Sequence, residues 1–226
     1  MQTIASVLSR ARSDPYLQAY QLRRMCRHAP LTELSNAEEF AGVLSELEGP
    51  VATEILDELA RVIEQQGTAQ RGPHPGLARF LVRLLAADSR WFMQVRVVKH
   101  LAKHGDEPRV VQALTALLIG TKHPRVQACV LSAMGQVKAD IPLRTIKPFL
   151  TNPDGRIRAA ALEALLTRDL VGMNEVFSLL LNDPAPRVKA LAAVGLWRLG
   201  NTVLLDLIRD AEQLDQRLAF LHALGM

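Results

Sequence analysis

Residues Asn152–Leu166 read NPDGRIRAAALEALL. The stretch opens with turn residues, sets Arg156 and Arg158 at the mouth of a helix, and then becomes almost wholly apolar and rich in alanine. Positive charge in the first turn of a helix opposes the macrodipole, so two arginines there need a reason. The same pattern recurs along the chain in four copies 31 residues apart with no insertion between them, and recurrence at a fixed period marks an array of structural repeats. HPRVQACVLSAMG places Arg125 one period before Arg156, and APRVKALAAVGL places Arg187 one period after it. MQVRVVKHLAKHG puts Gln94 in the same slot, one period before Arg125. In this alignment Val95, Val126, Ile157 and Val188 form one column, and Arg96, Gln127, Arg158 and Lys189 a polar one. Ala102, Ala133, Ala164 and Gly195 form a column of small residues. DQRLAFLHALG adds a copy just short of a full period further on, with Arg217, Leu218 and Gly225 in the matching places.

Each repeat reads as two helices, A and B. In IPLRTIKPFLTNPDGRIRAAALEALLTRD, helix A is expected from Ile141 to Leu150, TNPDG breaks it, and helix B runs from Arg156 to Leu166. Leu118, Phe149 and Leu180 form the matching apolar column of the A helices. B helices are expected to begin near Trp91, Pro124, Gly155, Pro186 and Asp215. The N-terminal stretch, 1–70, is less regular. QTIASVLSRA with DPYLQAYQLRRMCRH, and NAEEFAGVLSEL with GPVATEILDELARVIEQQ, read as two degenerate pairs, with an Asn36–Glu39 capping box. The Gly/Pro-rich stretch GTAQRGPHPG (67–76) is the expected hinge. This gives an irregular N-terminal part, 1–70, and a regular array, 77–226.

Composition fits close-packed helices: aliphatic residues and alanine dominate, and aromatics are 4 %, which leaves few rings for stacking on bases. Cys26 and Cys129 lie far apart inside helical patterns, as reduced core thiols do. The first residues lack the apolar core of a signal peptide and no apolar run is long enough for a membrane span, so a cytoplasmic protein is expected. The net charge of +4 hides a polarity: residues 71–168 carry +10, against −4 for 1–70 and −2 for 169–226. A basic band suits an anionic partner or is a solvated helical surface.

The Arg-Val/Ile-x-Ala motif after each turn, in HPRVQACVLSAMG, DGRIRAAALEALL and APRVKALAAVGL, resembles the HEAT-like repeats of the phycobilisome-lyase type. The likeness covers residues 77–226, while the signatures of ankyrin and tetratricopeptide repeats are absent. It implies an all-α fold, a right-handed α-solenoid of about seven antiparallel helix pairs with the B helices on the concave side. It also implies that turn carboxylates and basic residues early in helix B form a ladder from repeat to repeat. Asn152, Asp154 and Asp183 are the expected acceptors. The column Arg96, Arg158 and Lys189 is expected to be ladder, and the column Arg125, Arg156 and Arg187 to be free for a partner.

Other candidates are weaker. His100 and His104 have the i,i+4 spacing of zinc ligands, but no glutamate between them completes a motif. They read as surface residues of a last helical turn. Trp91 and Trp197 read as packing residues, and Trp91, in the basic third of the chain, is also a candidate anchor for a partner. Glu163 is the one carboxylate well inside a B helix of the array, and one carboxylate is no acid/base pair. No enzyme and no cofactor are expected. The leading expectation is a scaffold that holds a protein partner on its B-helix surface. A nucleic-acid or other anionic-ligand binder, including a HEAT-like DNA glycosylase, and a bilin-lyase-like subunit are the alternatives.

Overall fold

The computed structural model describes residues 37–67, 75–105, 107–168 and 172–203, with single positions 20, 24, 170, 206, 207 and 222. Apart from the single positions 20, 24 and 222, the first expected helix pair with Cys26, Asn36 of the capping box, the hinge residues 68–74 and the last B helix from Asp215 lie outside the described residues. Within them all regular structure is helical and no strand is present.

The helices alternate as expected. They are α1 (Ala37–Ser45) and α2 (Gly49–Gly67), then α3 (Pro75–Ala87) and α4 (Trp91–Leu101). Next come α5 (Pro108–Gly120) and α6 (Pro124–Gln136), then α7 (Leu143–Ile146) and α8 (Gly155–Leu166), and finally α9 (Asn174–Leu180) and α10 (Pro186–Arg198). The four B helices α4, α6, α8 and α10 start at Trp91, Pro124, Gly155 and Pro186. Four of the described helices, α3, α5, α6 and α10, open on proline, whose missing N–H costs nothing in the first turn.

The chain falls into two compact units, 1–126 with 137–139, and 127–136 with 140–226. In the first, α1 packs on α3, α3 on α5, and α2 on α4. In the second, α8 packs on α10, and α9 on α10. Helix A thus stacks on helix A and helix B on helix B, as each unit of a solenoid packs on its neighbours.

One turn device starts every described B helix from α4 on. The side chains of Asp88, Thr121, Asn152 and Asp183 accept the backbone N–H two residues on, from Arg90 (3.0 Å), His123 (3.2 Å), Asp154 (2.9 Å) and Ala185 (2.8 Å). Such local bonds favour a turn over a continuing helix. The spacing of these residues is 33, 31 and 31, which corrects the sequence alignment: the first copy is two residues longer. Burial agrees. Met93, Val126, Ile157 and Val188 are buried, as are Leu101, Met134, Leu165 and Leu196, whereas Val95 is only half-buried. MQVRVVKHL offers valines at 95, 97 and 98, so two apolar registers compete in sequence and only packing separates them. In the true register Gln94 aligns with Arg158, and His100, in place of Ala102, aligns with Ala133, Ala164 and Gly195.

That small-residue column marks close approach. A Cβ on Gly135 would lie 3.0 Å from Ala164 Cα, and one on Gly195 would lie 2.8 Å from the Phe177 ring. Two expectations for the A helices change. The helix foreseen from Ile141 to Leu150 is one α-turn, Leu143–Ile146, followed by a 3-10 stretch, Lys147–Thr151, because Pro148 has no N–H to continue the α ladder. Leu118 is buried as expected, but Phe149 and Leu180 are half-buried, and Leu114, Ile146 and Phe177 form the column buried in every copy.

Candidate partner-binding site

The candidate residues sit at the N-terminal ends of the B helices, and the turn just described places them. The Arg158 column divides. Arg158 Nε and Nη2 donate to both carboxylate oxygens of Asp183, each at 2.7 Å, and Nη1 donates to the carbonyls of Asn152 (2.7 Å) and Pro153 (3.0 Å). The two side chains are 12 % and 5 % exposed. This is the ladder: a helix-B arginine fixing the turn of the following repeat, with Asp183 also holding the Ala185 N–H. Burial works to raise the Asp183 carboxyl, but the Arg158 hydrogen bonds, the Ala185 N–H and the arginine's charge outweigh it and hold it below the ordinary carboxylate range.

Arg96 does not share this role. Two residues deeper in its helix than the sequence alignment placed it, it pairs with Asp57 on α2, which also meets His100 Nε2 at 2.9 Å. Lys189, half-buried, makes no ion pair among the described residues.

The Arg125, Arg156 and Arg187 column is exposed. Arg156 bonds to Asp154 (2.8 Å), whose carboxylate also caps the helix by accepting the Arg156 N–H at 2.9 Å. The capping carboxylate offsets the unfavourable charge at the helix mouth. Hydrogen bonding to Arg156 holds Asp154 below the ordinary range. Arg187 pairs with Glu163 on the preceding B helix. The Arg156 and Arg187 side chains remain 75 % and 61 % exposed. Between them lies an open trough of about 510 Å³ across α6, α8 and α10. Ala128, Ala159, Ala160 and Ala185 line it, with Ser132, Asp154, Glu163 and both arginines among its polar groups.

Arg125 lies in the first unit, with its guanidinium 5.1 Å from the centre of the Trp91 ring. Trp91 stacks on His123 with centroids 5.0 Å apart and planes at 4°. Both tryptophans correct the packing expectation, since Trp91 is 39 % and Trp197 47 % exposed. A second pocket of about 510 Å³ opens beside Trp91, lined also by Gln94, Lys122 and His123; of these the sequence pointed to Trp91 as an anchor and to Gln94 only as a repeat position.

The histidines are not surface residues. His104 is 3 % exposed in the 3-10 turn after α4, neither ring nitrogen meets a described partner, and burial pushes its pKa down. Among the described residues no three His, Cys, Asp or Glu side chains gather to hold a metal ion, and none of the helices is long and apolar enough to cross a membrane. A further set went unforeseen: Arg168 and Arg198 donate to the carbonyls of Met134 and Leu166, the C-terminal ends of the preceding B helices. Their sequence signal, a basic residue at a helix end, is too common to single out.

A family model described as HEAT repeats matches residues 78–166, which run from within α3 to the last residue of α8. No curated protein and no solved structure matches the chain. The match to HEAT repeats over residues 78–166 agrees with A helices stacked on A and B helices on B, and supports a HEAT-like repeat family.

Proposed function

We propose that this chain is a non-catalytic scaffold that holds a protein partner in the trough over α6, α8 and α10. HEAT repeats generally mediate protein–protein interaction and are typically not catalysts. The observation that carries the proposal is the trough itself. Its alanine lining lets another chain approach closely, and Arg156 and Arg187 stand exposed at its edge. Each guanidinium keeps N–H donors beyond those taken by Asp154 and Glu163, and these bind carboxylates and carbonyls of a partner. The acidic groups already paired there, Asp154 and Glu163, hold the forks in place without burying them.

The test is co-purification from nuclease-treated native lysate. The wild-type chain retains a discrete protein, and the variant R156Q/R187Q, with unchanged helicity and melting temperature, loses it. Equal retention by both chains, or recovery that vanishes on nuclease treatment, overturns the proposal.

A further inference from the structure

We propose that the pocket beside Trp91 receives a carboxylate side chain from an acidic segment of a partner protein. This rests on the protein-binding reading but concerns a different surface, in the first unit of the chain.

The pocket is built from donors. No Asp or Glu lines it. Of its cations, Arg90 is already used: it pairs with the buried Asp88 at 2.7 Å and donates to the carbonyls of Leu44 (2.8 Å) and Leu47 (3.4 Å), tying the turn before α4 to α1. Lys122, which lines the pocket, and Arg125, which adjoins it over the Trp91 ring, are different. Both are exposed, and neither forms an ion pair among the described residues. Lys122 lines the pocket with Trp91 and His123, Arg125 stands beside it with its guanidinium over the Trp91 ring, and Leu117 adds an apolar wall. Cations set against rings and aliphatic groups are less screened than in open water, so an anion gains more there. Ser89, Gln94 and Thr121 supply neutral polar groups around the same space. The start of α4, whose first residue Trp91 lines the pocket, adds the positive end of the helix dipole.

The size and the ring contacts choose the occupant. About 510 Å³ admits one or two side chains. Trp91 is already stacked on His123 and engaged by Arg125, so it offers no readily free face to a nucleobase. Single-strand binding depends on such free rings. A carboxylate needs none: it takes the Arg125 fork and the Lys122 ammonium directly.

The experiment uses the full chain and three fluorescently labelled probes: acetylated hexaglutamate, acetylated hexalysine and a twelve-residue oligothymidylate, each titrated by anisotropy at 50 and 300 mM salt. Hexaglutamate binds, hexalysine does not, and affinity falls several-fold at the higher salt. The variant K122E/R125E weakens hexaglutamate at least about tenfold, the loss expected when one side of a close charge pair is removed. K122A/R125A, which introduces no new charge, moves the same way. W91A weakens it less, and R156Q/R187Q leaves it within about twofold, so failure here and failure of the trough are separately visible. The proposal is overturned if hexaglutamate does not bind, if K122A/R125A leaves its affinity unchanged in a folded chain, or if oligothymidylate binds more tightly with the same dependence on Lys122 and Arg125.

Discussion

Arg158 and Asp183, 25 residues apart in sequence, meet through two parallel hydrogen bonds of 2.7 Å and tie the N-terminal turn of α8 to the turn that starts α10. Both are largely shielded, and the remaining donor of Arg158 closes two backbone carbonyls of its own turn.

Removing one side of this pair leaves the other shielded and unpaired. D183A is expected to lose about 3 kcal/mol of stability, measured by urea unfolding. R158K is also expected to lose stability, because an ammonium cannot reproduce the fork. A loss by D183A of under about 0.5 kcal/mol, the size of an ordinary surface change, contradicts the ladder.

The same carboxylate sets an acid limit. Asp183 has a lower pKa folded than unfolded, so its contribution is present above the unfolded value of about 3.9 and is lost as pH falls through the folded one. The wild type is therefore expected to lose stability relative to D183N as pH falls below about 4. Parallel stability curves for the two chains over pH 5 to pH 2 would be the opposite result.

His104 acts in a higher range. Burial lowers its folded pKa below the unfolded value of about 6.5. The unfolded chain then takes up the proton first, so stability present above about pH 6.5 falls as pH drops through that value toward the folded pKa. H104L is expected to flatten the fall in melting temperature between pH 7 and pH 5. An unchanged slope means that His104 is not the group responsible.

Close packing of B helices is tested at Ala164. It is fully buried, with its Cα 3.0 Å from where a side chain on Gly135 would begin. A164L is expected to cost about 1–3 kcal/mol through overpacking. G195A, which pushes a methyl against the Phe177 ring, is expected to act in the same direction. A melting temperature for A164L equal to wild type would show that the helices do not meet there.

The starts of the four B helices were legible because Pro, Gly and Asx turn residues recur at nearly constant spacing, and such local chemistry needs no tertiary context. The register of α4 was not legible, since Met93, Val95, Val97 and Val98 give two apolar stripes and burial alone selects one. That error carried Arg96 into the ladder column, when it meets Asp57 on α2 instead. The Arg158 ladder was foreseen because its acceptor also belongs to the repeat. Nothing local foretold the Trp91 pocket: its walls come from α4, the end of α5 and the turn before α6, and only packing brings Trp91 to His123. The exposure of Trp91 and Trp197 and the burial of His104 likewise depend on neighbours distant in sequence.

The most direct measurement of the scaffold proposal is site-specific photocrosslinking in nuclease-treated native lysate. A photoreactive residue is placed at Ser132 in the trough and, for comparison, at Gln112 and Leu179, exposed on A helices. The expected result is a discrete protein adduct from Ser132, lost in the R156Q/R187Q background, with none from Gln112 or Leu179. Adducts arising only from the A helices, or a Ser132 adduct indifferent to Arg156 and Arg187, would contradict it.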